Sequence, residues 1–115
     1  TTKNLDVANY SDGTLIPQIT DPTEWASLTT GAWCYYNNTT ANGTTYGKLY
    51  NWYAVAGIHD TDPNTPNKKL APNGYHVPSD AEWTTLATYL GGDSVAGGTI
   101  FLGNLVGNKL ASLDI

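Results

Sequence analysis

The chain has 115 residues, of which 40% are hydrophobic and only 13% charged; its formal net charge is −5 and it contains no arginine. Phosphate backbones and guanine edges are read by basic stripes and arginine forks, so nucleic acid falls outside the partner classes this composition serves, as does an anionic membrane surface. The length suits one domain, four Trp and eight Tyr argue for a packed core rather than disorder, and no apolar run approaches the ~20 residues of a bilayer span.

The first segment, "KNLDVANYSDGTLIPQI", alternates apolar residues around the turn signal Ser11-Asp12-Gly13 and predicts a β-hairpin. A short helix follows in "TDPTEWASLTTG". Asp21 is a good N-cap, Pro22 suits the first helical position, Glu24 stands where a capping box needs it, and Trp25 and Leu28 share a face. Gly31 is the expected stop. "AWCYYNN" reads as a strand, and Asn42-Gly43 as a tight turn.

In "YGKLYNWYAVAG", Leu49, Trp52, Tyr53 and Ala56 fall at i, i+3, i+4, i+7. This predicts one helical face ending at Gly57, with a strand as the weaker alternative. The stretch "IHDTDPNTPNKKLAPNG" is a long surface loop, and "YHV" is an extended piece kept out of helix by Pro78.

"GYHVPSDAEW" brings a histidine, a serine, an aspartate and a glutamate close together, yet its grammar is that of a helix start. Ser79 is the N-cap, Glu82 reaches back to the Ser79 amide, and Asp80 favours the positive end of the helix dipole. Trp83, Leu86, Ala87 and Leu90 then mark a face expected to meet the core, with Gly91 as the stop. Asp21, Glu24 and Trp25 repeat the pattern of Ser79, Glu82 and Trp83, so all six are assigned structural roles. After Gly98 the chain turns apolar and glycine-broken; residues 99–102 suit a strand and the rest of 99–115 is not assignable.

The chemical constellations are sparse. His59 and His76 are the only histidines, and none of the serines sits in a G-x-S-x-G elbow. Cys34 is the sole cysteine, so it is expected to be a free, structural thiol inside an aromatic strand, and no cysteine-built metal site is available. Asp60, Asp62 and Asn64 alternate as calcium loops do, but the glycine and distal glutamate of an EF-hand are missing; a solvated turn outweighs a metal site. Tyr35, Tyr36, Trp52, Tyr53 and Tyr75 are aromatic enough to stack on sugars. Most are expected in the core, with Trp52, Tyr53 and Tyr75 as the candidate ligand-binding residues. No cofactor is implied.

Four segments, "TTGAWCYYNN", "ANGTTYGKLYNWYAVAGI", "LAPNGYHVPSDAEWTTLATYLGG" and "SVAGG", resemble the Fibrobacter succinogenes major paralogous domain, a family of bacterial surface and lipoprotein modules. The likeness runs from about residue 4 to residue 98. Within it, residues 77–83 are similar to the L-P-[ST]-x-A-E-W signature of formylglycine-generating and sulfatase-modifying proteins. The resemblance implies an α+β, C-type-lectin-like fold: a small twisted antiparallel sheet flanked by two or three short helices. It also implies a domain matched only in its N-terminal part (1–98), incomplete at the C-terminus, with 99–115 as a divergent tail. The later cysteines of the formylglycine-generating enzymes have no counterpart here.

The function expected from this is a non-catalytic, extracellular or cell-surface module, ligand-binding or adhesive. Its partner would be a polysaccharide or another surface protein, without membrane insertion. A formylglycine-generating-type enzyme fragment and a purely structural spacer are the alternatives. With no methionine, the chain reads as an excised or mature segment whose targeting signal lies elsewhere, and its oligomeric state is not encoded.

Overall fold

The computed structural model describes residues 4–90 and the strand backbones of 93–95 and 99–101. The chain forms two compact units, Lys3–Val77 and Pro78–Ile115. Its architecture is α+β, with short helices and antiparallel two-stranded pairings.

The first unit opens with the predicted hairpin in reduced form. Asn9 and Leu15 make a single antiparallel bridge, closed by Tyr10 N–H to Thr14 O at 2.8 Å and Ile16 N–H to Ala8 O at 2.9 Å. Helix α1 (Pro22–Ser27) starts on Asp21, whose carboxylate accepts from the Glu24 amide at 2.8 Å. The Glu24 carboxylate makes no return bond among the described residues, so only half of the box forms. The helix is capped at Leu28, before the expected Gly31.

Strand β1 (Trp33–Cys34) pairs antiparallel with β2 (Leu49–Tyr50), in register Trp33↔Tyr50 and Cys34↔Leu49. The aromatic run leaves the strand at once for a 3₁₀ turn, Tyr36–Asn38, in which Asn37 and Asn38 take positive φ. Asn42-Gly43, read as a tight turn, instead opens helix α2 (Asn42–Tyr46). The Asn42 amide is tied to Tyr36 O at 2.9 Å, and the Tyr35 ring lies where a Gly43 side chain would stand.

The predicted helical face of residues 49–56 is divided between two elements. Leu49 belongs to β2, and helix α3 (Trp52–Ala56) begins only after Asn51, which caps it through Ala54 N–H at 2.9 Å. Trp52 points outward and Ala54 is the fully buried residue. The backbones approach closely at this point: a Cβ on Gly31 would press on the Ala54 backbone.

The core of this unit is Tyr10, Ile16, Trp33, Ala54 and Leu70, with Leu5, Val7, Ala8, Tyr35 and Tyr50 against it. The Trp33 indole donates to Ile16 O at 2.9 Å, which satisfies its one polar group where it is buried. Lys48 lies over the Trp33 ring, 4.6 Å from its centroid, and is paired with Asp6. Its stem covers apolar surface while its charge is held by a carboxylate and an aromatic face.

In the second unit, helix α4 (Asp80–Tyr89) carries the full capping box. Glu82 N–H donates to Ser79 Oγ at 3.3 Å, and the Ser79 amide donates to the Glu82 carboxylate at 2.8 Å. The expected core face is corrected. Trp83 is 52% exposed and Leu86 is also exposed, whereas Ala87 is buried. Periodicity sets which residues share a face, but the covering of that face comes from elsewhere in the chain. Strands β3 (Asp93–Val95) and β4 (Thr99–Phe101) pair antiparallel, with Ser94↔Ile100 in the middle, as the strand expected at 99 requires. The stop at Gly91 and the tail beyond residue 101 lie outside the described residues.

Candidate functional site

The loop between α3 and Leu70 is tied at its base and organised from within. Gly57 closes α3 with φ +81, its amide donating to Ala54 O. Lys68 N–H donates back to Gly57 O at 2.8 Å, and a Cβ on Gly57 would overlap the Lys68 carbonyl. Residues 58–67 thus leave and return at one point, as in an Ω-loop. The base is anchored further by Gly31 N–H to Ile58 O at 2.7 Å, Ser11 N–H to Lys69 O at 2.8 Å, and the Lys68–Asp12 ion pair at 2.7 Å.

This loop and Thr29 line an open pocket of about 360 Å³. That volume falls within the range of small-ligand pockets. Its polar lining includes His59, Asp60, Asp62, Thr65 and Asn67.

The alternating acids inside it serve the loop's own backbone. Asp60 accepts from the Asp62 amide at 3.0 Å, and its second oxygen meets Thr65 Oγ1 at 3.1 Å and His59 Nε2 at 3.2 Å. Asp62 accepts from both the backbone and side-chain nitrogens of Asn64, at 2.9 and 3.0 Å. The spacing that suggested convergent calcium oxygens is therefore the spacing of successive Asx turns. Among the described residues, no group of three His, Cys, Asp or Glu side chains is assembled to hold a metal ion. The cavity offers short hydrogen-bonding groups with a net acidic lining, which suits a polyhydroxylated or cationic ligand.

The aromatic candidates lie outside this cavity. Trp52 is 68% exposed, with the Tyr53 ring edge-on at 5.3 Å, and Tyr75 is 61% exposed. Tyr36 and Tyr46 form a second edge-on pair at 5.8 Å, both half-exposed. The expectation that most of Tyr35, Tyr36, Trp52, Tyr53 and Tyr75 are core is thus overturned: Tyr36, Trp52 and Tyr75 are exposed, while Tyr35 and Tyr53 are partly buried. The core is small, and its buried aromatics are Tyr10 and Trp33.

Cys34 is a free thiol, partly buried on β1. Burial pushes its pKa up. His76 lies exposed in the extended piece before Pro78. Sequence reasoning marked His59, Asp60, Asp62 and Asn64 but missed Thr29, Thr65 and Asn67. Their convergence depends on the Gly57–Lys68 closure, which spans eleven positions and leaves no local signature.

The family model described as Fibrobacter succinogenes major domain matches residues 1–114, beyond the residue-98 limit of the segments quoted above. No curated protein matches the chain. No solved structure matches it either.

Proposed function

The chain belongs to the Fibrobacter succinogenes major domain family, and we propose that it is a non-catalytic binding module displayed outside the cell, with polysaccharide as its ligand. The observation that carries this reading is the Trp52 indole. It stands 68% exposed on a helix fixed at one end by the Asn51 cap and at the other by Gly57. Tryptophan is enriched among the residues that carry binding energy at interfaces, and the neighbouring Tyr53 ring widens the aromatic surface that Trp52 presents. A pyranose ring offers a C–H face that packs on an indole, and hydroxyls that the carboxylate, amide and threonine groups of the 57–67 loop suit.

A C-type-lectin-like arrangement is part of the same proposal; short helices, sparse strand pairing and a long organised loop are compatible with it. Extracellular display is supported by the Thr/Asn-rich, cysteine-poor composition. The enzyme alternative needs an activated thiol. Burial moves Cys34 in the opposite direction from the lowered pKa of reactive cysteines, which favours the binding reading.

Glycan-array screening followed by titration calorimetry against plant cell-wall oligosaccharides tests the proposal. Trp52→Ala is expected to weaken binding at least about tenfold. Asn67→Ala separates a contribution of the cavity from that of the indole. An absence of binding to every sugar would sink the glycan reading.

A further inference from the structure

The chain holds two Asn-Gly pairs among its described residues, Asn42-Gly43 and Asn73-Gly74, and the fold treats them oppositely. Asn73 is exposed and Gly74 sits at the positive-φ position (+85°) of a turn closed by Tyr75 N–H to Pro72 O at 3.0 Å. Nothing lies within 4 Å of where a Gly74 Cβ would stand. The Gly74 N–H donates to no partner among the described residues. Asn42, by contrast, starts a helix. Its side-chain nitrogen donates to Tyr36 O at 2.9 Å, the Gly43 amide donates to Thr40 O at 3.0 Å, and Gly43 is buried under the Tyr35 ring.

We propose that Asn73-Gly74 is a modification site, at which Asn73 deamidates spontaneously to a mixture of aspartate and isoaspartate. The Gly74 backbone nitrogen attacks Cγ of Asn73. The new N–Cγ bond closes a succinimide, the Cγ–Nδ2 bond breaks, and ammonia leaves with the proton from the Gly74 amide. Water then opens the ring at Cγ, giving aspartate, or at the backbone carbonyl, giving isoaspartate. Glycine favours this step because no side chain hinders the attacking nitrogen or restricts the backbone rotation it needs. At Asn73 no hydrogen bond of either reacting group has to break first, whereas at Asn42 both groups are engaged and the helix must open locally. The product adds one negative charge to a chain of formal charge −5 and places it two residues before the exposed Tyr75.

The folded protein would be incubated at mildly alkaline pH, digested, and its peptides quantified by mass spectrometry and by isoaspartyl methyltransferase labelling. A short peptide carrying Pro72 to Tyr75 and the chain held in denaturant serve as references. The expected result is conversion at residue 73 close to the peptide's rate, with conversion at residue 42 at least about tenfold slower in the folded chain and comparable in denaturant. Equal rates at the two sites in the folded chain, or a rate at residue 73 far below the peptide's, would overturn the proposal. In Asn73→Gln, whose attack would have to close a larger ring, label on the peptide containing residue 73 should vanish; its persistence would equally count against the assignment.

Discussion

The Tyr10 hydroxyl is buried in the space that a side chain on Gly31 would need. A Cβ on Gly31 would overlap that oxygen and press on the Ala54 backbone. The hydroxyl itself has no hydrogen-bond partner among the described residues, and burial pushes its pKa up. Removing an unsatisfied buried hydroxyl spares its desolvation cost, so Tyr10→Phe should raise stability by up to about 1 kcal/mol. Gly31→Ala should lower it by about 1–3 kcal/mol through overpacking. The double variant should recover part of that loss, because the two changes meet at one point. Urea melts of the four proteins measure the cycle; a Tyr10→Phe variant weakened by more than about 1 kcal/mol would show that the hydroxyl is satisfied after all.

Asn51 joins two segments that its position in the chain does not connect. Its Oδ1 accepts from Ala54 N–H at 2.9 Å and from Ala32 N–H at 3.1 Å, while Nδ2 donates to Thr30 O at 2.9 Å. One side chain thus caps α3 and fixes the approach to β1. Asn51→Ala is expected to cost about 2–3 kcal/mol, combining a lost cap with unpaired backbone groups. Asn51→Asp keeps the acceptor and loses the donor, so it should cost less. Equal losses in thermal denaturation would place the cap outside the energetics.

Trp33 and Trp83 separate what local sequence encodes from what it does not. In sequence both read as belonging to core-facing elements, yet Trp33 is 7% exposed and Trp83 is 52% exposed. Trp33→Ala should therefore cost about 3–5 kcal/mol. Trp83→Ala should cost clearly less than that range, and Ser79→Ala about 1 kcal/mol. A Trp83→Ala loss as large as that of Trp33→Ala would restore the core assignment. The caps at Asp21 and Ser79 were legible because a cap is a contact between residues three apart. The strand at residue 99 followed from an equally local pattern, whereas the α+β class came from the family resemblance. Burial of Ala54 in place of Trp52, and the loop closed by Gly57 and Lys68, depend on partners distant in the chain, and nothing local records them.

Two ionisable groups bound the pH range of the first unit from opposite sides. Tyr50 donates to Val7 O at 2.7 Å and accepts from Val7 N–H at 2.8 Å, and burial above all pushes its pKa from 10.0 up to about 12. Because the folded value is the higher one, the neutral phenol's contribution is complete below about pH 10 and is lost as pH rises toward 12. Asp12 behaves with the opposite sign. Its hydrogen bond from Lys68 holds its carboxyl well below the ordinary 3.8, so its contribution is present above that value and lost as pH falls below it. Melting temperature against pH should show a steeper alkaline fall in wild type than in Tyr50→Phe, and a steeper acid fall than in Asp12→Asn. Identical profiles for a variant and the parent would remove that group from the linkage.

The 57–67 loop should respond weakly to calcium. Asp62 Oδ1 is already occupied by both nitrogens of Asn64, and both oxygens of Asp60 accept hydrogen bonds within the loop. A cation would have to displace these turns to gather its ligands, and hard-cation sites need six or more oxygens. Millimolar calcium is therefore expected to stabilise the chain by less than about 1 kcal/mol, corresponding to a dissociation constant no tighter than about millimolar. Asp62→Ala should loosen the loop whether calcium is present or not, because what it removes is a turn cap. Differential scanning fluorimetry with calcium and with chelator separates the two roles. A large calcium-dependent rise in melting temperature, abolished by Asp60→Asn together with Asp62→Asn, would identify the loop as a metal site and make its Asx turns the apo arrangement of the ligands.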